Sequence, residues 1–153
     1  MIERITNPER FEMVVNDISD LLEVDSGDNK WHELVPNNRE SFISAYAHKG
    51  LLAHKVFAWA NKNKKNKYDA LIVFLETLDP RSGEKMFVEN VWLSGNPKVG
   101  AKLFFKAIDF ARKSGYKYIT AGRSVKSPNS ESVKRFYEKL GFIKDSESYI
   151  AQI

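Results

Sequence analysis

In the segment VWLSGNPKVGAKLF, residues 91–104, the apolar pattern of a strand changes into that of a helix. The helix is marked by an apolar stripe at helical spacing, made of Leu103, Phe104, Ala107, Ile108 and Ala111. Gly115 stands where a C-terminal cap belongs. The stretch therefore predicts a strand, a glycine-containing loop and an amphipathic helix in succession.

Upstream of this stretch, three segments have the composition of strands. Lys55 to Ala60 and Tyr68 to Leu75 are rich in Val, Ile, Phe, Trp and Tyr, and Met86 to Leu93 follows. The polar run 61–67 separates the first two segments. Residues 79–83, with Pro and Gly placed as turns require, separate the second from the third. Short turns between strands predict an antiparallel meander.

Two helices are expected before the meander. Asn7-Pro8 is typical of an N-cap followed by proline at the first helical position, and the apolar spacing behind it continues to about Glu23. A weaker helix is predicted after Pro36, ending near Gly50.

Downstream, Tyr116 to Ala121 is predicted as a short strand and Phe142 to Ile153 as a closing strand. Between them, Ser127-Pro128 opens a helix that Gly141 stops. Its predicted buried face consists of Val133, Phe136, Tyr137 and Leu140. The order strand, two helices, three strands, helix, strand, helix, strand predicts one domain over residues 1–153. Its class is α/β (α+β), with a mixed, mostly antiparallel central sheet and helices on both faces.

Composition narrows the class of protein. The 153 residues are 42% hydrophobic and 29% charged, which is ordinary for a folded domain. No apolar run approaches the ~20 residues that span a bilayer, and the N-terminus lacks the apolar centre of a signal peptide. The absence of cysteine excludes disulfides, thiolate nucleophiles and cysteine-based zinc sites. His32, His48 and His54 share no metal-ligand spacing, so no metal is predicted. We expect a cytoplasmic protein without a membrane partner.

The net charge of +4 is concentrated in NKNKKNK, residues 61–67. We interpret this run as an exposed turn, since Asn and Lys suit such positions. The alternative is an anionic partner such as nucleic acid.

The C-terminal stretch SPNSESVKRFYEKLGF, residues 127–142, resembles the GNAT family of acyl-CoA-dependent N-acyltransferases. Its ending is similar to the helix and strand entry that close the acyl-CoA site in that family, and the predicted order of elements is also the family's. The residues alone leave a second interpretation open, in which Gly141 ends an amphipathic helix and Tyr137 is a core aromatic.

The resemblance implies that the loop within residues 91–104 binds acetyl-CoA. GNAT enzymes carry Gln/Arg-x-x-Gly-x-Gly/Ala here, and backbone N–H groups at the helix start hold the pyrophosphate. Gly100 matches the last glycine, whereas Lys98 replaces the middle one and Gly95 stands where Arg or Gln is usual. The backbone of residues 92–94 is expected to pair with the pantetheine amides. The implied cofactor-binding residues are Leu93, Ser94, Gly95, Lys98, Val99, Gly100, Ala101, Lys102, Asn129 and Ser130.

The resemblance also implies a reaction. An amine attacks the acyl thioester directly in a ternary complex, Tyr137 protonates the departing thiolate, and Glu89 acts as the base through water. A surface or ion-paired Glu89 is the alternative. The amine is a small molecule or belongs to a protein, and the chain is a monomer or homodimer. The second functional hypothesis is a GNAT-shaped module that has lost catalysis and serves in binding or regulation, with nucleic acid as one target.

Overall fold

The computed structural model describes residues 1–22, 38–51, 55–122, 130–145, 151 and 153. The chain divides into two compact units. The first comprises Met1–Leu22 and Asn38–Gly122, and the second includes the described residues 130–145.

In its described residues the first unit contains five strands, several α-helices and a π-helical segment. In chain order they are β1 (Ile2–Ile5), α1 (Pro8–Asp17), α2 (Arg39–Ile43), the π-helical segment (Ser44–Leu51), β2 (Val56–Lys62), β3 (Tyr68–Leu78), β4 (Lys85–Ser94), α3 (Pro97–Lys113) and β5 (Tyr118–Thr120). The described part of the second unit contains one helix, α4 (Ser130–Lys139).

The strands form one sheet in the order β1-β2-β3-β4-β5. The pairings from β1 to β4 are antiparallel, and β4 pairs with β5 in parallel. The β3–β4 turn contains Gly83 with a φ of +72°, a conformation that glycine adopts without strain. The predicted meander and the mixed, mostly antiparallel sheet are confirmed.

Successive side chains of a strand point to opposite faces of the sheet, and in this sheet apolar side chains lie on both faces. Each face is therefore packed against other elements. On one face, Ala58 and Val73 are fully buried in a cluster with Phe11 of α1 and Ala47 of the π-helical segment. On the other face the contacts are aromatic: the rings of Phe74 and Phe87 stack with centroids 4.4 Å apart. This second face packs against α3, whose Leu103, Phe104, Ala107 and Ala111 are buried, as the apolar stripe predicts.

Helix α3 ends as expected. Gly115 has a φ of +84°, and the next amide, Tyr116 N–H, donates to the Ala111 carbonyl at 3.0 Å. This pattern satisfies a carbonyl that the helix end leaves without an intrahelical partner. It also delays β5: Tyr116 belongs to the helix cap, so the strand begins at Tyr118 and not at the predicted Tyr116.

Helix α1 is shorter than predicted. It ends at Asp17 rather than near Glu23, and residues 19–22 are helical again after a break at Ile18. The Asp17 carboxylate accepts the backbone N–H of Tyr68 at 2.9 Å, which ties the helix end to the start of β3. The second predicted helix is confirmed by α2 and the π-helical segment.

Helix α4 stops where Gly141 predicts. Gly141 has a φ of +83°, and the Phe142 N–H donates to the Tyr137 carbonyl at 3.0 Å. Leu140 was wrongly assigned to the buried face: it lies in the terminating turn beyond Lys139 and is 37% exposed. Residues 142–145 are not in a strand, contrary to the predicted closing strand, and 146–150 and 152 lie outside the described residues. Across the described ranges, no helix has the length and apolarity to cross a membrane.

Candidate functional site

A β-bulge in β4 is the first irregular feature of the candidate site. Val73 pairs with Val91 and Phe74 pairs with Glu89, so Asn90 is an extra residue without a partner position on β3. The bulge places the Asn90 amide against the π-helical segment, where its Nδ2 donates to the hydroxyl of Tyr46. Bulges of this kind re-aim side chains and are common beside active sites.

The environment of the Tyr46 hydroxyl keeps it protonated. Burial raises the pKa of Tyr46 most strongly, the hydrogen bond from Asn90 lowers this pKa, and the negative charge of Glu89 raises it. The net shift is upward. Tyr46 is therefore a neutral hydrogen-bonding group at physiological pH.

Glu89 lies where β4 and β5 stop pairing. Their ladder runs from Met86↔Tyr118 to Val88↔Thr120, whereas β4 itself continues to Ser94. One residue past the last pair, Glu89 Oε2 accepts the backbone N–H of Gly122 at 3.1 Å. The predicted base therefore lies immediately after the last residue of β4 that pairs with β5.

The predicted phosphate loop is a tight connection from β4 to α3. The Ser94 hydroxyl donates to the Asn96 carbonyl at 2.7 Å, and the Asn96 N–H donates back to Ser94 Oγ at 3.1 Å. Asn96 is the N-cap of α3, and its Oδ1 accepts the Lys98 N–H at 2.9 Å. Pro97 occupies the first helical position. The helix thus begins three residues before Gly100.

The first turn of α3 has little unused hydrogen-bonding capacity. Pro97 has no N–H, Lys98 donates to the cap side chain, and Gly100 donates to the Asn96 carbonyl at 2.9 Å. Within the described residues, the Val99 N–H alone among these has no acceptor. Of the backbone N–H groups that the resemblance assigns to the pyrophosphate, that of Val99 is therefore unengaged and that of Lys98 is bound by the Asn96 side chain.

Gly100 has a packing role in addition to the predicted one. A Cβ at this position would lie 3.2 Å from Ser94 Cβ and 3.3 Å from Trp92 Nε1. Trp92 Nε1–H donates to the Gly100 carbonyl at 3.1 Å, and its ring lies 5.0 Å from that of Phe104. Glycine favours the close approach of α3 to β4 here, because a Cβ would require Ser94 or Trp92 to shift by a few tenths of an ångström.

Positive charge is available at the same helix end. Lys98 and Lys102 are exposed and, at i and i+4, lie on one side of α3 beside its N-terminus. The helix dipole adds a partial positive charge there. Leu93 is buried and Ala101 is half-buried, so they support the loop through packing.

The remaining predicted site residues belong to the second unit. Tyr137 is 8% exposed, and its ring contacts that of Phe142 at a centroid distance of 5.3 Å. Ser130, the first residue of α4, is a buried polar residue at 6% exposure. Asn129 lies outside the described residues. The roles proposed for Tyr137 and Ser130 stay predictions.

Three residues of the site were not predicted. Asn96-Pro97 carries the same helix-start signal as Asn7-Pro8, and this signal was available in the sequence. Asn90 is a poor strand former inside a strand, which is a weak sign of a bulge. Tyr46 lies within the helix predicted after Pro36, and no sequence signal marks its hydroxyl.

The basic run 61–67 forms the β2–β3 hairpin tip. Asn63 Oδ1 accepts the backbone amides of Lys65 and Lys67 at 2.9 and 3.2 Å. Lys64, Lys65 and Lys67 are exposed. The interpretation as an exposed turn is confirmed.

No protein-family model matches the sequence, and no curated protein matches it. Solved structures do match, over the whole chain.

Many of these structures are acetyltransferases, and three serve as examples. An aminoglycoside acetyltransferase from an uncultured soil metagenomic sample has a TM-score of 0.70 at 10% identity, covering 100% of this chain and 97% of its own. A predicted acetyltransferase with acetyl-CoA from Clostridium acetobutylicum has a TM-score of 0.69 at 12% identity, covering 100% and 96%. A ribosomal-protein-alanine N-acetyltransferase from Brucella melitensis biovar Abortus 2308 has a TM-score of 0.66 at 10% identity, covering 100% and 99%. The chain therefore has the fold of the GNAT N-acetyltransferases.

Proposed function

We propose that this protein is an N-acetyltransferase that transfers the acetyl group of acetyl-CoA to an amine by direct attack in a ternary complex. The observation that carries the proposal is the course of β4. This strand presents Glu89 just past the end of its ladder with β5 and then leads through Ser94 into the positive end of α3. The shared fold with acetyltransferases supports it.

A diphosphate group at the start of α3 would be bound mainly through positive charge, because few backbone N–H groups there are available to it. Lys98 and Lys102 supply positive charge, and the Val99 N–H supplies one unengaged donor at a helix N-terminus. Gly95, Gly100 and Ala101 would allow close approach, with Leu93 and Ser94 flanking the pantetheine arm. Asn129 and Ser130 are proposed to contact that arm. When bound, the cofactor would supply an activated acyl thioester.

Two side chains of this chain are proposed to move protons. Glu89 would take the proton of the ammonium group through water, since its Oε2 is already held by Gly122 and its carboxylate is oriented. Tyr137 would donate a proton to the departing thiolate.

The acceptor is proposed to be an amine on a small molecule or on a protein. Both kinds occur among the similar structures: one is named for aminoglycosides and one for the alanine of a ribosomal protein.

The test has two parts. Acetyl-CoA at about 100 times its dissociation constant should stabilise the folded state by about 2.7 kcal/mol, which raises the Tm of a domain this size by roughly 5–10 °C. Thiol release across a panel of amines then measures transfer. Binding without transfer would favour the catalytically inactive module. Absence of binding at millimolar acetyl-CoA would refute the proposed function.

A further inference from the structure

A cavity of about 240 Å³ lies where α3 ends against the sheet. It is lined by the aromatic residues Phe57, Phe110 and Tyr116, together with Glu76 of β3 and Lys85 of β4. The proposed cofactor site is at the other end of α3, a helix of 17 residues that spans about 25 Å. The cavity is therefore separate from the proposed acetyl-CoA site.

The Glu76 carboxylate has one oxygen in use and one available. Its Oε1 accepts the Tyr116 hydroxyl at 2.6 Å and lies 3.8 Å from Lys85 Nζ. No described residue donates a hydrogen bond to Oε2, although the side chain is only 21% exposed. A ligand N–H group would therefore form a charge-assisted hydrogen bond with this oxygen.

Positive charge is present at the same cavity. The separation of Lys85 Nζ from Glu76 is longer than a hydrogen bond, and the lysine side chain is 66% exposed, so a ligand can separate this pair at little cost. The Arg4 guanidinium lies 4.5 Å from the ring centroid of Phe110 and 5.6 Å from that of Phe57. It adds a second positive charge beside the aromatic wall.

This combination of charges defines the class of ligand. A ligand that is only a cation would be attracted by Glu76 and repelled by Lys85 and Arg4, and a ligand that is only an anion would be repelled by Glu76. A zwitterion has a partner for each of its charges, and its apolar part can pack on the rings. The volume is below the roughly 300–1,000 Å³ of pockets for drug-sized ligands, so the ligand must be small.

We propose that this cavity binds a free α-amino acid with an apolar or aromatic side chain. The α-ammonium group donates to Glu76 Oε2, and the carboxylate pairs with Lys85. The side chain of the ligand packs against Phe57, Phe110 and Tyr116. The inference does not depend on acetyl transfer, because the cavity shares no residue with the proposed cofactor site or with the groups proposed to move protons.

Three related compounds test which charged groups the cavity recognises. L-phenylalanine carries both charges, phenethylamine lacks the carboxylate and 3-phenylpropionate lacks the amine. In calorimetric titration of the full chain without acetyl-CoA, phenylalanine should bind at least about tenfold more tightly than either analogue, because each analogue loses one charged contact. Equal binding of either analogue, or no binding of phenylalanine at millimolar concentration, would overturn the proposal.

Variants of the two charged residues should give a crossed pattern. Glu76→Gln keeps an oxygen that can accept the Tyr116 hydroxyl but removes the negative charge, so it should weaken phenylalanine binding about tenfold and strengthen that of 3-phenylpropionate. Lys85→Gln should also weaken phenylalanine binding about tenfold, and it should strengthen that of phenethylamine. A variant that failed to fold would instead lose all three compounds.

The chain contains a matched pair of controls. Glu84 and Lys117 form another exposed ion pair, at 3.5 Å, and neither residue lines the cavity. Glu84→Gln and Lys117→Gln make the same charge changes and should leave all three affinities as in the wild type. If Glu76→Gln and Lys85→Gln fold, as judged by circular dichroism, and still bind phenylalanine with wild-type affinity, the amino acid binds elsewhere and the proposal is wrong.

Discussion

Trp92 and Gly100 are joined by a hydrogen bond of 3.1 Å, in which the indole Nε1–H of β4 donates to a carbonyl oxygen of α3. This bond fixes the distance between the strand and the first turn of the helix. The candidate phosphate loop lies between these two residues, so its shape depends on their contact.

The first prediction concerns the close approach at Gly100. Gly100→Ala should lower the free energy of unfolding by about 1 kcal/mol, because the new Cβ would lie within 3.3 Å of both Ser94 and Trp92 and this overcomes the gain in helix propensity. Gly95→Ala is the control, since its Cβ would meet Leu21 at 3.7 Å, an ordinary contact. Urea denaturation of the two variants measures the difference. Equal stability of both would show that the helix shifts without cost.

The second prediction concerns the Asn96 cap. Asn96→Gly frees the Lys98 amide, so a cap interaction of about 1 kcal/mol no longer competes with the diphosphate. The variant should therefore bind acetyl-CoA about fivefold more tightly. Glycine at an N-cap costs only a few tenths of a kcal/mol in stability. Calorimetric titration measures the affinity.

The chain contains a matched control for this variant. Asn7 likewise caps α1 before a proline, Pro8, although its Oδ1 accepts the N–H three residues on, that of Arg10, at 2.8 Å. Asn7→Gly should therefore change stability as Asn96→Gly does and leave acetyl-CoA affinity as in the wild type. Unchanged or weaker affinity in Asn96→Gly would mean that the Lys98 amide takes no part in binding.

The third prediction concerns alkaline pH. Burial first, and then the hydrogen bond and negative charge of Glu76, raise the pKa of Tyr116, whose hydroxyl donates to Glu76 at 2.6 Å. The folded state thus holds this proton more tightly than the unfolded chain does. The resulting stability is present at neutral pH and is lost as the pH rises above about 10.

Replacing the hydroxyl should remove this pH dependence. Tyr116→Phe should lose stability less steeply than the wild type above pH 10, in urea denaturation carried out from pH 8 to pH 11. The same slope in both proteins would contradict the assignment to Tyr116.

Much of the fold could be predicted from the sequence because its signals are local. Segments rich in Val, Ile, Phe, Trp and Tyr predicted β2, β3 and β4, and glycines at 115 and 141 marked two helix ends. The features that depend on distant contacts could not be predicted. The end of α1 is tied to β3 by the bond from the Tyr68 N–H to Asp17, and Tyr116, just before β5, belongs to the cap of α3.

The candidate site was predicted less completely than the fold. Glu89 was identified on the correct strand, but its bond to Gly122 follows from where a ladder ends. The bulge at Asn90 is a matter of register between two strands, and register is set by the packing of both faces rather than by one segment. The pairing of Asn90 with Tyr46, more than forty residues away in the chain, depends on that register.

The fourth prediction concerns Tyr137. Tyr137→Phe should keep the ring contact with Phe142 and lower kcat about 100-fold, because the departing thiolate would lose its proton donor. The KM for acetyl-CoA should change little. Steady-state kinetics with the best acceptor of the amine panel measures both constants. If Tyr137→Phe keeps the wild-type kcat, Tyr137 is a core aromatic residue and not the proton donor.

The fifth prediction separates the two roles of Glu89. Glu89→Gln retains a side-chain oxygen that can accept the Gly122 N–H, so the end of the β4–β5 ladder should keep its geometry. The amide cannot act as a base at neutral pH, and kcat should therefore fall by about 100-fold or more. The loss should shrink as the pH is raised, because the amine then arrives already deprotonated. Glu12→Gln, at an exposed position of α1, is the matched control. If Glu89→Gln keeps wild-type kcat with unchanged Tm, Glu89 only holds Gly122, and the base must be another group.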